Sequence, residues 1–545
     1  GAGTCVITPT SAGSPLTLTA TYAGDTNFNG SASAGESHTV IAPDLTAVKS
    51  NNVGGVTTLG DNWTWTIAVT NTGTFTAAYT SGQTILSDNL PDANITYNLT
   101  TTSISLSAPN SGTVDCSING TQDLICTANG AVTLGLGGAF EVQLLATPSA
   151  IGTFANPRGG GSCTVDPGGV IVESDESNNT CGPDSVNVAP ASHTYVDPAG
   201  GCGGNTPCFT SPQQALDNTA ANGTSTISGT NNITASLISA NSGANNVTVD
   251  GTGTLNWTGG AGALFAVGDG AVTIKGLNLS NAPTVFDQTG IGVLTAYANN
   301  ILTFTTAYAG AGTPAIGHNF WGTNDPTASA PAGMLADEWP KRLGAPVGAW
   351  SDGIGPGGAS LVTGINTATL SGGSGTDVIV SYGRGLANAP FGNGITPYAN
   401  QMCSDYYDFF TVGGSGTYTA TVPVDNTANC NTNTLNAKKV FWITTTLSLC
   451  SPASNTACWG LVPTTTLTVN ISGQNLVIAG LTVAQLGGTS FVAGDTGGDD
   501  PTAITLREIG ATSNIDGRGW LIVLLGLSVF VASAIGLALR RRTHA

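Results

Sequence analysis

Charge is what this sequence has least of. Asp, Glu, Lys and Arg make up 8% of its 545 residues, against about a quarter in an average soluble domain. The helix-forming Lys, Glu and Arg are scarce, which points away from helical architectures. Basic residues are the scarcest: 13, against 32 carboxylates, for a net charge of −19. Three of the 13 are Arg540, Arg541 and Arg542, together at the C-terminal end. A surface so acidic repels phosphate backbones, which excludes nucleic acid as a partner. Histidine occurs only at positions 38, 193, 318 and 544, and no CxxC is present, which argues against zinc. GxSxG and HExxH are missing too, and Gly-rich runs such as GGSGTD (372–377) lack the Lys of a phosphate loop.

What fills the chain is β-forming. Hydrophobic residues are 40%, with Val, Ile, Leu, Thr and aromatics recurring throughout, and Gly, Ala, Thr, Ser and Asn making up most of the rest. That mixture suits short strands with hydroxyl-rich outer faces and tight turns, so an all-β protein is expected. The length predicts three to five domains rather than one core.

Ten of the eleven cysteines form close pairs: Cys116 with Cys126, Cys163 with Cys181, Cys202 with Cys208, Cys403 with Cys430, and Cys450 with Cys458. Local pairs in Gly-rich β segments read as disulfides formed outside the cytoplasm. Each is worth roughly 2–4 kcal/mol. Cys5 is left over. With export implied and no leader before Gly1, the expectation is a longer precursor whose upstream part holds the partner of Cys5.

Residues 1–42 contain the alternation Leu16, Leu18, Ala20 and the run Tyr22-Ala-Gly-Asp-Thr-Asn-Phe28. The run resembles the closing strands of bacterial immunoglobulin-like repeats, which implies part of one such unit. In residues 43–189, Trp63, Trp65, Ile67 and Val69 alternate with Thr and Ala and turn at Asn71-Thr-Gly73, the period of a half-buried strand. DLTAVKS and WTWTIAVTNTG resemble the repeated immunoglobulin-like modules of bacterial surface proteins, and the closing VDPGGVIVESDESNNTC (165–181) resembles the end of cell-adhesion-related bacterial domains of the CARDB type. The resemblance implies an immunoglobulin-like sandwich that serves as a spacer or binding unit. In the closing run, Asp166, Glu173, Asp175 and Glu176, with Asn178 and Asn179, offer the oxygens calcium prefers, although the spacing is not that of an EF-hand. The alternative reading is an acidic turn leading into the last strand. No other cofactor is implied.

Residues 192–350 carry the most specific wording. TYVDPAGGCGGNTPCFTSPQQAL (194–216) resembles the opening of exported, pectin-lyase-like, right-handed parallel β-helices, and implies a strand, a small disulfide loop and a short capping helix. Apolar strand centres recur at Ile227, Val249, Ile274 and Ile301, spaced as stacked coils would be. Asn278, Asn281 and Asn300 are candidates for internal ladders at the turns. HNFWGTNDP (318–326) resembles a motif near the end of such helices and reads as a cap. Residues 357–497 repeat the strand pattern and predict another β-sandwich.

A polar stalk (498–519) follows, then Trp520 to Leu539, an uncharged 20-residue run. At about 1.5 Å per residue it matches the hydrocarbon thickness of a bilayer. Trp520 suits the outer interface, and Arg540 to Arg542 mark the cytoplasmic side, with 540–545 as the tail. The arrangement resembles the C-terminal sorting signals of bacteria, although no LPxTG precedes it. Cell-surface localisation with a membrane-spanning anchor is the expectation.

No catalytic residues are assigned. β-Helices of this type include polysaccharide lyases and hydrolases, which need a base or clustered acids. Between His193 and Gly317 the one basic residue is Lys275, read as a solvated turn lysine, and the Asp residues at 197, 217, 250, 269 and 287 stand singly. The functional expectation is therefore an adhesin-like or spacer protein meeting extracellular glycans or proteins. A cell-bound lyase or hydrolase, and a purely structural envelope component, are the alternatives.

Overall fold

Strands dominate because Val, Ile, Thr and aromatics alternate with small polar residues nearly everywhere. The computed structural model describes residues 4–7, 13–238, 246–312, 314–322, 349–354, 357–363, 366–382, 401–424, 438–443, 459–462, 468–472, 475–486 and 490–495. The expected membrane span, stalk and tail (498–545) lie outside the described residues. Among the described residues no helix is long and apolar enough to cross a membrane. The chain divides into two units, Gly1–Ser225 and Thr226–Ala545.

The first unit begins with an open ribbon. Gly13–Leu18 pairs antiparallel with Glu36–Val40, and Thr21–Tyr22 with Ser31–Ala32. Its turn is tied by Asp25, which accepts the Asn27 and Phe28 amides and the Tyr22 hydroxyl.

The sandwich is organised around Trp63–Asn71, whose odd positions from Trp63 to Asn71 are all buried. This strand lies between Ala139–Pro148 and Leu45–Asn51, with Ile95–Leu99 at the far edge. A second sheet orders Ser103–Ser105, Ser111–Ile118, Asp123–Leu134, Thr84–Asn89 and Cys163–Val165, and a third joins Gly152–Asn156, Asp184–Ala189 and Val56–Thr58. One apolar core serves all three. At its centre Trp63 and Trp65 meet edge to face at 5.2 Å, and truncating either would cost about 3–5 kcal/mol.

Three expected disulfides are present. Cys116–Cys126 links directly opposed residues of neighbouring strands, Cys163–Cys181 pins the closing loop, and Cys202–Cys208 closes a six-residue loop. Cys403 is disulfide-bonded as well. Its expected partner Cys430, and the pair Cys450 and Cys458, lie outside the described residues. Cys5 is a free, exposed thiol. The short helix expected after the 202–208 loop is Pro212–Asp217, started by Ser211 and a proline in the first turn.

The second unit contains the β-solenoid. Three parallel sheets run through it: Val247–Gly251, Val272–Lys275 and Leu294–Tyr297; Thr230–Ile233, Thr254–Trp257, Asn278–Ser280 and Asn300–Ile301; and Leu237–Ile238, Ala263–Val267, Ala282–Gln288 and Phe304–Gly310. Like stacks on like. Val249 aligns with Ile274 and then Ala296, Leu255 with Leu279 and Ile301, and Phe265 with Phe286 and Tyr308. One expectation needs correcting: Ile301 is not the rung after Ile274, because Ala296 is. Ala296 is small and lacks the β-branched signature, so the eye passes on to the next aliphatic residue, which belongs to another sheet.

The asparagine ladders also differ in part. Asn300 does donate to Asn278 at 2.9 Å, but this ladder is half-exposed rather than internal, and Asn281 is exposed and donates to Asn256. The buried ladder is Asn299 on Asn319, both fully inaccessible. Asn319 belongs to the expected cap, where Trp321 is also fully buried, edge to face with Phe304.

The remaining strands form one ten-stranded sheet. Asn366–Ser381 and Tyr407–Pro423 pair along their length, with register shifts around Gly372 to Thr376. Both ends of this pair contribute to a single core containing Leu370, Phe409, Tyr418, Leu476 and Phe491. The first strand of this sheet is Trp350–Ile354.

Candidate functional sites

Three groups of polar side chains stand out. The first is the closing loop of the sandwich. Asp166 accepts the amides of Ile171 (2.8 Å) and Val170 (3.2 Å). Glu173 takes the Leu45 amide and, at 3.0 Å, the Asn179 side-chain amide. Glu176 accepts the Glu173 amide, and Asp175 is turned to the Ser177 amide and hydroxyl. Asn178 donates to Asp44, and the Ser174 amide bonds Pro43. The loop is thereby sewn onto the chain entering the first strand. Burial pushes the Glu173 carboxyl up to about 7, against the pull of its hydrogen bonds, with Glu176 and Asp166 adding repulsion. Burial also raises Asp166, whereas the Ser177 hydrogen bonds lower Asp175. The sequence-predicted carboxylates thus share one loop, and each holds backbone or side-chain donors of that loop. Among the described residues no group of three or more His, Cys, Asp or Glu is placed to hold a metal ion.

The second group joins the solenoid to the following sheet within the second unit. Lys275 is not a solvated turn lysine. Its ammonium pairs with Asp352 at 2.5 Å and lies 5.4 Å from the centroid of the Trp350 ring. The Tyr297 hydroxyl donates to the same carboxylate at 3.1 Å. Gly276, at φ +74°, lets Trp350 approach, because a Cβ there would sit 2.5 Å from the indole nitrogen. Further along, His318 stacks flat on Phe410 at 3.7 Å and bonds Asp408 through Nδ1 at 3.0 Å. These partners lie 77 and 90 residues apart in sequence, and no local motif announces them.

The third group lies inside the sandwich. Lys49, from Leu45–Asn51, reaches Asp88 at 2.9 Å and the side-chain oxygen of Asn156 at 2.8 Å. Asp88 comes from Thr84–Asn89 and Asn156 from Gly152–Asn156, so each residue belongs to a different sheet. The Lys49 and Asp88 side chains are wholly inaccessible, and so is Asn156. Burial lowers the Lys49 ammonium and raises the Asp88 carboxyl, in each case outweighing their mutual attraction. Asp184 adds negative potential near Lys49 while bonding Trp65 Nε1 and Asn51. Sequence reading missed this triad. The signal was there: Leu45, Ala47 and Lys49 fall on one face of a strand, which puts a lysine where a core residue belongs.

No family model matches the chain, and no curated protein matches it. Among solved structures, a crystal structure of the CARDB domain of a Pyrococcus furiosus protein in complex with di-metal ions is similar at 19% identity. It covers 28% of this chain and 97% of that one, with a TM-score of 0.17. A solution structure of the CARDB domain from the same organism is similar at 18% identity, over 27% and 97%, with a TM-score of 0.16.

Proposed function

We propose that this chain is an adhesin-like surface protein, tethered by residues 520–539, whose sandwiches and solenoid act as spacer and binding modules rather than as a catalyst. The observation that carries this reading is how polar groups along the solenoid are used. Asn256 bonds Asn232, Asn300 bonds Asn278, Thr226 bonds Asp250, and Lys275 is taken up by Asp352. Coil satisfies coil, which serves a rigid scaffold. The outer faces are Thr, Asn and Ser, suited to hydroxyl-rich extracellular glycans or to proteins. Local disulfides fit an oxidising compartment.

The test is direct. Protease added to intact cells should release the chain upstream of residue 520, and the remainder should stay with the membrane fraction. The purified ectodomain should leave pectin and alginate uncleaved. Unsaturated sugar ends would promote the lyase alternative, and a chain protected from external protease would defeat the surface reading.

A further inference from the structure

The Lys49–Asp88–Asn156 group has the parts of a self-made covalent cross-link. We propose that Lys49 and Asn156 join through an intramolecular amide bond between Nζ and Cγ, promoted by Asp88.

The geometry comes first. The amine nitrogen is 2.8 Å from Asn156 Oδ1, and the carbon to be attacked is one carbonyl bond, about 1.2 Å, beyond that oxygen. All three side chains are shut away from water. Three different sheets hold them in place, so the encounter is already organised and a step that is slow in solution becomes intramolecular. A buried ammonium beside a buried carboxylate is the costly arrangement. The pair relaxes by passing the proton to Asp88, and the directions of both shifts agree. The neutral amine is the nucleophile and the neutral acid is the proton carrier. The Asn156 side chain also interacts with the Asp88 carboxyl, which places the proton carrier beside the group that leaves.

The step balances without any co-reactant. The Lys49 nitrogen lone pair attacks Asn156 Cγ while the Asp88 carboxylic acid steadies the carbonyl oxygen. The new Nζ–Cγ bond forms and the Cγ–Nδ2 bond breaks. One proton from the attacking amine passes through Asp88 to Nδ2, which leaves as ammonia. Asp88 ends as it began. Water, the competitor that would hydrolyse an activated amide, has no access.

The product ties the entering strand Leu45–Asn51 to Gly152–Asn156 and closes a loop of 107 residues. None of the three disulfides among the described residues makes that connection. This inference stands whether or not the chain is a surface module, so its failure would leave that reading in place.

The experiment is mass spectrometry of the full chain after reduction of its disulfides. The expected mass is one ammonia below that of the sequence. Tryptic digestion should yield one branched peptide joining the segments around Lys49 and Asn156, with no cleavage after Lys49. A full sequence mass would overturn the proposal. So would loss of one water with the branch at Asp88, or loss of ammonia at an Asn-Gly pair without the branched peptide. Asp88→Asn should show the full mass and ordinary cleavage after Lys49, and a branched peptide in that variant would remove Asp88 from the mechanism. If the variant is insoluble, its denatured digest is read in the same way.

Discussion

The sandwich around Trp63 and the solenoid face the same problem, polar groups in an apolar interior, and solve it differently. The sandwich buries ionisable side chains beside amides such as Asn71 and Asn156. Lys49 and Asp88 sit at its centre, and Glu173 and Asp166 under its closing loop, 4% and 2% exposed. The solenoid buries amides. Asn299 donates to Asn319, Ile274 and Tyr297, and Asn319 donates to Ala296, Ile316 and Gly317. The difference follows from geometry. In stacked coils every turn repeats a coil later, so an amide, which carries both donor and acceptor, finds a carbonyl and an amide at fixed offsets. A sandwich offers no such repeat, and its buried polar residues must find individual partners across sheets. Charge makes those encounters specific at the cost of desolvation.

The sharpest way to break that comparison is to remove one member of the Lys49 group. Lys49→Met removes both the proposed cross-link and the buried partner of Asp88, and should destabilise the sandwich by about 3–5 kcal/mol, read as a lower denaturation midpoint. Lys49→Met with Asp88→Leu relieves the stranded carboxyl but restores no cross-link, so it should recover only part of that loss. If the single variant is as stable as the parent, the buried Lys49 group is not what holds the sandwich.

How much of this was legible in the sequence depends on whether a feature repeats locally. Trp63 to Val69, the three local disulfides and the stacked apolar rungs all show themselves within one strand or one coil, and the structure has them. The Lys49 triad spans 107 residues and the Lys275–Asp352 pair 77. Such pairs depend on which sheets meet, and one sequence does not state that. Ile301 was misplaced for a local reason, since Ala296 carries too small a side chain to announce a rung.

The solenoid's amides are the next test. Asn319→Leu keeps the volume but strands donors of Asn299 and the carbonyls of Ala296 and Ile316. Each stranded buried group costs about 1–3 kcal/mol, so a loss of about 2–4 kcal/mol is expected. Chemical denaturation of the chain should show it in the transition that covers the solenoid. Asn278→Ala, on the outer ladder where the side chain is half-exposed, should cost less than about 1 kcal/mol. Equal effects would mean that burial of the amide is not what matters.

Where solenoid meets sheet, shape should outweigh charge. Gly276→Ala forces φ +74° on a residue with a Cβ and drives that carbon against Trp350, which should cost about 1–2 kcal/mol. Lys275→Met removes a pair that keeps some solvent contact and should cost no more than about 1 kcal/mol. Tryptophan emission reports whether Trp350 moves in either variant.

Acid should separate the two solutions by the slope of stability against pH. Burial pushes the folded Glu173 carboxyl up to about 7 and that of Asp377, in the ten-stranded sheet, up to about 6. In the unfolded chain such groups titrate near 4. Between those limits the folded protein binds more protons than the unfolded one, so stability rises as pH falls from about 7 toward about 4.5. The hydrogen bonds from Leu45 and Asn179 are already within that balance, so the rise from near 4 to about 7 sets an upper limit of about 3–4 kcal/mol on the gain for its sandwich. Glu173→Gln keeps an acceptor for the Leu45 amide and cannot ionise. It should flatten the profile of that transition above pH 5 and raise its midpoint at pH 8. The solenoid's interior amides do not titrate, so they should contribute no slope over the same range. A Glu173→Gln profile parallel to the parent's would show that the slope arises elsewhere and that Glu173 is not a penalised buried charge.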